Sequence, residues 1–472
     1  MARVVGYSLP LAGHLISMGE LAKMLSASNP SLSFTILSPS NAIVDTGFMT
    51  SYISSVSSAY PAITFHFLPP VPLLLGDPSN YDSGEQLLFE LLHNNNPNVR
   101  EFLHANSPVS AFIIDFLCYT ALAIPKSFNV PTYSYFTTNA SALALFLNIP
   151  EFDKIATDSF RNLGETPFEV PGLFSVPANS IVGQMLDRGV VYDEFVNVGA
   201  HLPKCDGIII NTVESLEPRA VKALREGTCL RGTHVPPIYC VGPLIANHES
   251  GNEGGGQRHE CLSWLDSQPS GSVVYLAFGS MGLFSVKQTR EIAVGLERSG
   301  IRFLWVIRAP PSEDKAKWLQ RAPEPDLHFI LPTGFLERTS DRGLVVKSWA
   351  PQTAVLRHKA IGGFVTHCGW NSTLETICAA VPMVAWPLYS EQRFNKILLV
   401  EQMGVALPMN ESKDQFVSSV EIERRVKQVI GLKEGDVIRK RVLDLSHEAK
   451  VALSEGGSSK MALAKLVESW KR

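Results

Sequence analysis

Short runs of apolar, β-prone residues alternate along this chain with longer stretches whose apolar positions recur at helical spacing. In the first half the runs lie at 4–8, 34–37, 63–68, 111–115, 132–136 and 207–211. In the second half they lie at 273–278, 303–307, 344–346, 363–366 and 383–386. Most are apolar on both alternating faces, the pattern of parallel strands covered by helices on both sides. Helix-patterned segments such as 15–26 and 286–299 stand between them. Strand and helix repeated in this way predict an α/β protein of doubly wound, Rossmann-like domains.

One break in the pattern divides the chain. Residues 245–260 (IANHESGNEGGGQRHE) are polar, Gly-rich and patternless, which predicts a linker between domains at 1–244 and 261–457. A second irregular stretch, 309–326, carries Pro and charge and is expected to loop out of the second domain. Helical periodicity returns at 458–472 after Gly456-Gly457. Two facing domains of this type would place a cleft between the carboxyl ends of their sheets, where ligands bind.

Composition narrows the function classes. The 472 residues are 45% hydrophobic, enough for two sizeable cores and too apolar for a disordered chain. Lys and Arg number 41 against 45 Asp and Glu, so no basic surplus exists to neutralise a nucleic-acid backbone. The longest apolar run, 140–149, is about half a membrane span. The start, MARVVGYSLPLAGHL, does not read as a secretory leader, so a cytoplasmic protein is expected. Seven cysteines with no C-x-x-C pair read as buried thiols, and the N-x-[ST] triplets at Asn139, Asn371 and Asn410 as chance matches.

Common nucleotide fingerprints are missing. No G-x-G-x-x-G follows the first strand, and no G-x-x-x-x-G-K-[ST] or G-x-S-x-G occurs. No D-x-D is present either, so a diphosphate would have to be met by backbone N–H groups, hydroxyls and imidazole. The stretch 349–392 supplies such groups: a strand ends at His367, a Gly-bearing turn follows, and a helix is expected to begin near Ser372. Asn371, Ser372 and His367 add donors to the positive end of that helix. By spacing alone, Ser372 and Glu375 form a capping box, so the same residues could simply start a helix.

The segment 349–392 resembles the 44-residue box of plant secondary-product glycosyltransferases, the family-one UDP-glycosyltransferases. It carries W-x-x-Q, H-C-G-W-N-S, a Glu three residues after the Ser, V-P, W-P and a terminal acidic-Gln pair without a gap. GHLISMGELAK, FGSMG and SWAPQ are also family-like. FIID, CDGIIINTVESLEP and GFLERTSDRG most resemble the branch that glucosylates flavonoids, chalcones and dihydrochalcones.

The resemblance implies the GT-B fold of two facing Rossmann-like domains, with the final helix packed back on the first. It implies that Trp349 stacks on uracil, that Ala350 bonds its edge through the backbone, and that Gln352 and Glu375 hold the ribose. His367, Asn371, Ser372 and Ser280 would bind the diphosphate. Trp370, Glu391 and Gln392 would contact the sugar, with Gly13 and Thr137 completing the donor set from the first domain. A terminal Gln goes with UDP-glucose in this family. No cofactor or metal is implied; the partners are small molecules only, and the chain would act as a monomer.

Transfer of a hexose to a phenol needs a base for the acceptor proton. His14 follows the first strand and Asp115 closes another, and the family places its catalytic His and Asp at these points. The implied chemistry is a single displacement with inversion. Leu9, Phe116, Leu117 and Tyr389 are acceptor-site candidates by position, as are the stretches 71–84 and 171–186, although core packing accounts for each equally well. Leu11-Ala12 departs from the family's usual Pro-Gly-Met, and Glu391 replaces the commoner Asp. Ala380 stands for the usual Gly and is expected to tighten packing. Competing readings are a terpenoid or steroid O-glucosyltransferase, a C-glycosyltransferase, and a nucleotide-sugar-binding protein without catalysis; a nicotinamide oxidoreductase fits least.

Overall fold

The computed structural model describes residues 2–40, 47–230, 232, 234–246, 252–253, 257–312, 323–431 and 433–470. It divides into two units. The first holds the chain up to Ala246 and again from Val451; the second holds the described residues between, as far as Lys450.

The first unit is built on seven parallel strands: β1 (Ala2–Tyr7), β2 (Leu32–Pro39), β3 (Ile63–Leu68), β4 (Ala111–Asp115), β5 (Thr132–Phe136), β6 (Gly207–Ile210) and β7 (Ile238–Cys240). Their order is β3-β2-β1-β4-β5-β6-β7. The chain therefore runs outward from β1, then returns to lay β4 against its other side, in register from Val4 with Ala111 to Tyr7 with Ile114. That reversal is the topological switch point, where loops leave the sheet in opposite directions and open a crevice. Helix α1 (Ala12–Ser28) follows β1 and buries Leu15, Met18, Leu21 and Leu25.

The run at 140–149 begins helix α2 (Ala140–Ile155), buried on nearly every side, so its apolarity serves the core. Asn139 accepts from Ala142 N–H at 2.7 Å. The buried Glu217 carboxylate accepts from Ala140 and Ser141 N–H at 3.0 and 2.8 Å. Helix starts leave such N–H groups without intrahelical partners, and a carboxylate there also suits the helix dipole.

The second unit carries six parallel strands: β8 (Val273–Ala277), β9 (Arg302–Ile307), β10 (Gly343–Lys347), β11 (Ile361–Thr366), β12 (Met383–Ala385) and β13 (Ala406–Pro408). Their order, β10-β9-β8-β11-β12-β13, again reverses, here between β8 and β11. Helices α3 (Val286–Ser299), α4 (Trp370–Cys378) and α5 (Lys433–Leu453) belong to this unit, α5 running past its end. The last helix, α6 (Ser458–Ser469), lies in the first unit, where Leu463, Leu466 and Trp470 join the core. Ser459 donates to Gly242 O at 2.6 Å, and Ser469 and Tyr133 hydroxyls meet at 2.7 Å. The described helices include none long and apolar enough to cross a membrane.

Three sequence expectations change, and a fourth falls largely outside the described residues. The return to the first unit falls at Val451, inside α5, because a Gly pair marks a helix end and not a change of packing partner. The described part of 245–260 includes an antiparallel pairing of Asn252–Glu253 with Gln257–Arg258, and a helix already starts at Glu260. Of the loop expected at 309–326, residues 313–322 lie outside the described residues. Ala380 has φ +57°, a left-handed conformation, so its methyl group adds strain where tighter packing was expected. Replacing Ala380 with Gly should raise stability by about 1 kcal/mol, once the greater freedom of Gly in the unfolded chain is set against the relieved clash. A denaturant titration reads the change, and an unchanged or lowered midpoint would refute it.

Candidate active site

His14 lies in the first turn of α1, its N–H bonded to Leu11 O at 3.0 Å, immediately past the end of β1. Asp115 is the last residue of β4, the strand beside β1 at the switch point, and is fully buried. Strand order thus brings together two residues about a hundred positions apart. Asp115 Oδ2 is 2.7 Å from His14 Nδ1, and Oδ1 accepts from Leu117 N–H at 3.1 Å. A carboxylate only accepts, so Nδ1 carries the ring proton and Nε2 is the basic nitrogen. The His14 side chain is 20% exposed, and Asp115 anchors it at Nδ1. Thr137 Oγ1 stands 3.5 Å from the same Nδ1.

Phe116 stacks near the imidazole, ring centroids 6.0 Å apart, and leads into an aromatic cluster with Phe136 and Phe146. Among the acceptor-site candidates, Leu9 is fully buried, Phe116 nearly so and Leu117 partly. Tyr389 belongs to the second unit, so sequence position alone grouped residues of two units.

In the second unit, Ser280 follows β8 and His367 follows β11, the two strands at its switch point. Two glycines hold the imidazole: a Cβ on Gly279 or on Gly369 would sit 2.5 or 2.4 Å from His367 Nε2. Gly279 also has φ +72°, which disfavours any side chain. Burial pushes the His367 pKa down to about 4, so the ring is neutral at physiological pH. Its Nδ1 is buried without a hydrogen-bond partner. A polar atom left in that state is costly unless a ligand meets it.

Helix α4 starts at Trp370, with Gly369 as its N-cap, two residues before the expected position. The capping box suggested by spacing is therefore not formed. Ser372 lies inside the first turn, and the Glu375 carboxylate accepts instead from Gln352 Nε2 at 2.6 Å. The same Nε2 also donates to Ser372 Oγ at 2.8 Å, so Gln352, Ser372 and Glu375 form one polar cluster. Burial raises the Glu375 pKa to about 7, against the Gln352 hydrogen bond, which lowers it. Trp349 is partly exposed after β10; its N–H bonds to Lys347 O at 2.7 Å across Ser348, whose φ is +65°. This tight three-residue turn projects Trp349 and the buried Ala350 from the sheet end.

Trp370 is nearly fully buried and Asn371 partly so. Glu391 Oε1 accepts from Asn395 Nδ2 at 3.3 Å, and Asn395 also donates to Cys368 O at 2.9 Å. Gln392 is 2% exposed, and its Oε1 accepts from both Leu388 and Tyr389 N–H, at 2.9 and 3.0 Å. Through Oε1, Gln392, expected at the sugar, also shapes the loop carrying Tyr389. Tyr389 lies 6.0 Å from His367, ring to ring. Sequence reasoning passed over Gly279, Gly369 and Asn395. For the glycines a signal existed, in FGSMG and HCGW, since a Gly at a strand end often marks close backbone approach.

The family described as UDP-glucoronosyl and UDP-glucosyl transferase matches residues 252–450. The chain is 45% identical to an anthocyanidin 5,3-O-glucosyltransferase of a Rosa hybrid cultivar, with 99% of each chain covered. It is 44% identical, over the same shares, to a phloretin 2'-O-glucosyltransferase of Malus domestica. Among solved structures it resembles Phytolacca americana UGT2 complexed with UDP-2fluoro-glucose and pterostilbene. That likeness has a TM-score of 0.86 at 35% identity and covers 100% of both chains.

Proposed function

The chain belongs to the UDP-glycosyltransferase family, and on that premise we propose that it transfers glucose from UDP-glucose to a hydroxyl of a flavonoid-type phenol. The observation that carries the reading is the His14–Asp115 pair at 2.7 Å, which holds the ring proton on Nδ1 and makes Nε2 the basic nitrogen. His14 Nε2 takes the proton of the acceptor hydroxyl as its oxygen attacks the anomeric carbon. The bond from that carbon to the β-phosphate oxygen breaks, and its electrons leave with UDP. One displacement inverts the anomeric centre, so an α-linked donor yields a β-glucoside. Asp115 stabilises the imidazolium that forms, the role an Asp plays beside a catalytic His in hydrolases.

The donor is held in this reading by the second unit. Trp349 and Ala350 take the base, and Gln352 with Glu375 the ribose. His367, Ser280, Asn371 and Ser372 meet the diphosphate in place of a metal clamp, with the N-terminus of α4 adding partial positive charge. Trp370 and Glu391 are the sugar contacts, joined by Gly13 and Thr137; Gln392 supports them through the 388–389 backbone. The acceptor class follows the anthocyanidin and phloretin enzymes to which the chain is similar.

Incubating the protein with UDP-glucose and a panel of flavonoids and dihydrochalcones should give products heavier by one hexose. NMR of the product should show a β-anomeric linkage, and acid should release the sugar, as it would not from a C-glycoside. No hexose gain on any phenol, or gain only on terpenoids, would overturn the acceptor class.

A further inference from the structure

Arg308 follows directly on Ile307, the last residue of β9, and β9 lies beside β8 in the second unit's sheet. It therefore leaves the same sheet end as Ser280 and His367. Ser348 N–H bonds to Ile307 O at 2.8 Å, tying this point to the turn that presents Trp349. The guanidinium is largely enclosed, and its Nη1 is fully buried with no hydrogen-bond partner. Among the described residues no carboxylate pairs with it. Other arginines of this unit, such as Arg338 with Glu297 and Arg393 with Glu411, do have partners.

The titratable group acting on Arg308 is Tyr389, which also neighbours His367. Burial pushes the Tyr389 phenol up to about 12, so it is neutral near pH 7 and cannot serve as counter-ion. Burial also lowers the Arg308 pKa, yet a guanidinium starts so high that it stays charged. A largely buried guanidinium with an unpartnered Nη1 is costly, and a folded protein sustains it where a ligand supplies the anion. The planar fork of arginine suits phosphate oxygens in particular.

We infer that Arg308 is the cation of the donor site and binds the diphosphate of the UDP-sugar through the edge that carries Nη1. The inference rests on the reading of this sheet end as the UDP-sugar site. It adds to that site a full charge that the near-neutral composition did not suggest. As the bond from anomeric carbon to β-phosphate oxygen breaks, Arg308 meets the charge left on UDP.

Titration calorimetry with UDP and with uridine, on full-length wild type, Arg308→Gln and Arg308→Lys, tests this. Arg308→Gln should weaken UDP binding by about tenfold or more, the scale of a lost charge-assisted hydrogen bond, while uridine binds as in wild type. Arg308→Lys keeps the charge without the fork, and its UDP affinity should fall between the two. UDP affinity within about twofold of wild type in Arg308→Gln would overturn the inference. So would an equal loss of UDP and uridine binding, the mark of a packing role. Should Arg308→Gln fail to fold, the lysine variant decides: an unchanged ratio of UDP to uridine affinity refutes the inference. A wild type that binds neither compound would overturn the donor-site reading itself, and the inference with it.

Discussion

His14→Ala lowers transfer to a phenolic acceptor by on the order of 10³-fold or more while UDP binds as in wild type. A protonated phenol is a weak nucleophile, and a positioned base contributes roughly 10²- to 10⁴-fold. In this chain the Nε2 lone pair exists because Asp115 fixes the proton on Nδ1. Alanine removes the acceptor of the proton altogether, and Thr137 Oγ1, 3.5 Å from His14 Nδ1, is too weakly basic to replace it. The residues proposed to bind UDP belong to the other unit, so donor affinity is the internal control. Single-turnover transfer and calorimetry with UDP measure the two quantities. Near-normal turnover would remove His14 from the mechanism.

For Asp115→Asn the expected loss is on the order of 10²- to 10⁴-fold in kcat, again with donor affinity retained. Asp115 Oδ1 already accepts from Leu117 N–H. An asparagine keeps that bond with its carbonyl, which leaves its NH₂ facing His14 Nδ1. The ring must then accept at Nδ1 and carry its proton on Nε2, the wrong tautomer for a base. The neutral amide also fails to stabilise an imidazolium. A kcat within about threefold of wild type would show that neither effect operates.

Much of this was legible in the chain. The runs at 63–68, 111–115 and 132–136 are strands with those limits; the last two are buried along their whole length, as the pattern of a covered strand predicts, whereas 63–68 lies at the sheet edge with Thr64, His66 and Phe67 exposed. Ile238–Cys240 and Ala406–Pro408 were not seen. Each is three residues long at a sheet edge, too short to show a period of its own. The Ser372–Glu375 spacing read as a cap, yet Glu375 is taken by Gln352 from another helix, a choice no local pattern contains. Ala380 looked like a packing change because sequence does not show the sign of φ.

What the sequence determined by itself is the alternation of strand and helix, the division near residue 245, and the dense motif from Trp349 to Gln392. Each is written in neighbouring residues, since periodicity and turn chemistry are local. The tertiary structure alone decided which distant atoms meet. It placed β4 beside β1, and so Asp115 on His14; it packed His367 against Gly279 and Gly369; and it buried Arg308 Nη1 without a partner. Strand order and burial are properties of the packed sheet, and the cost of an unpaired polar atom exists only once water has been excluded from it.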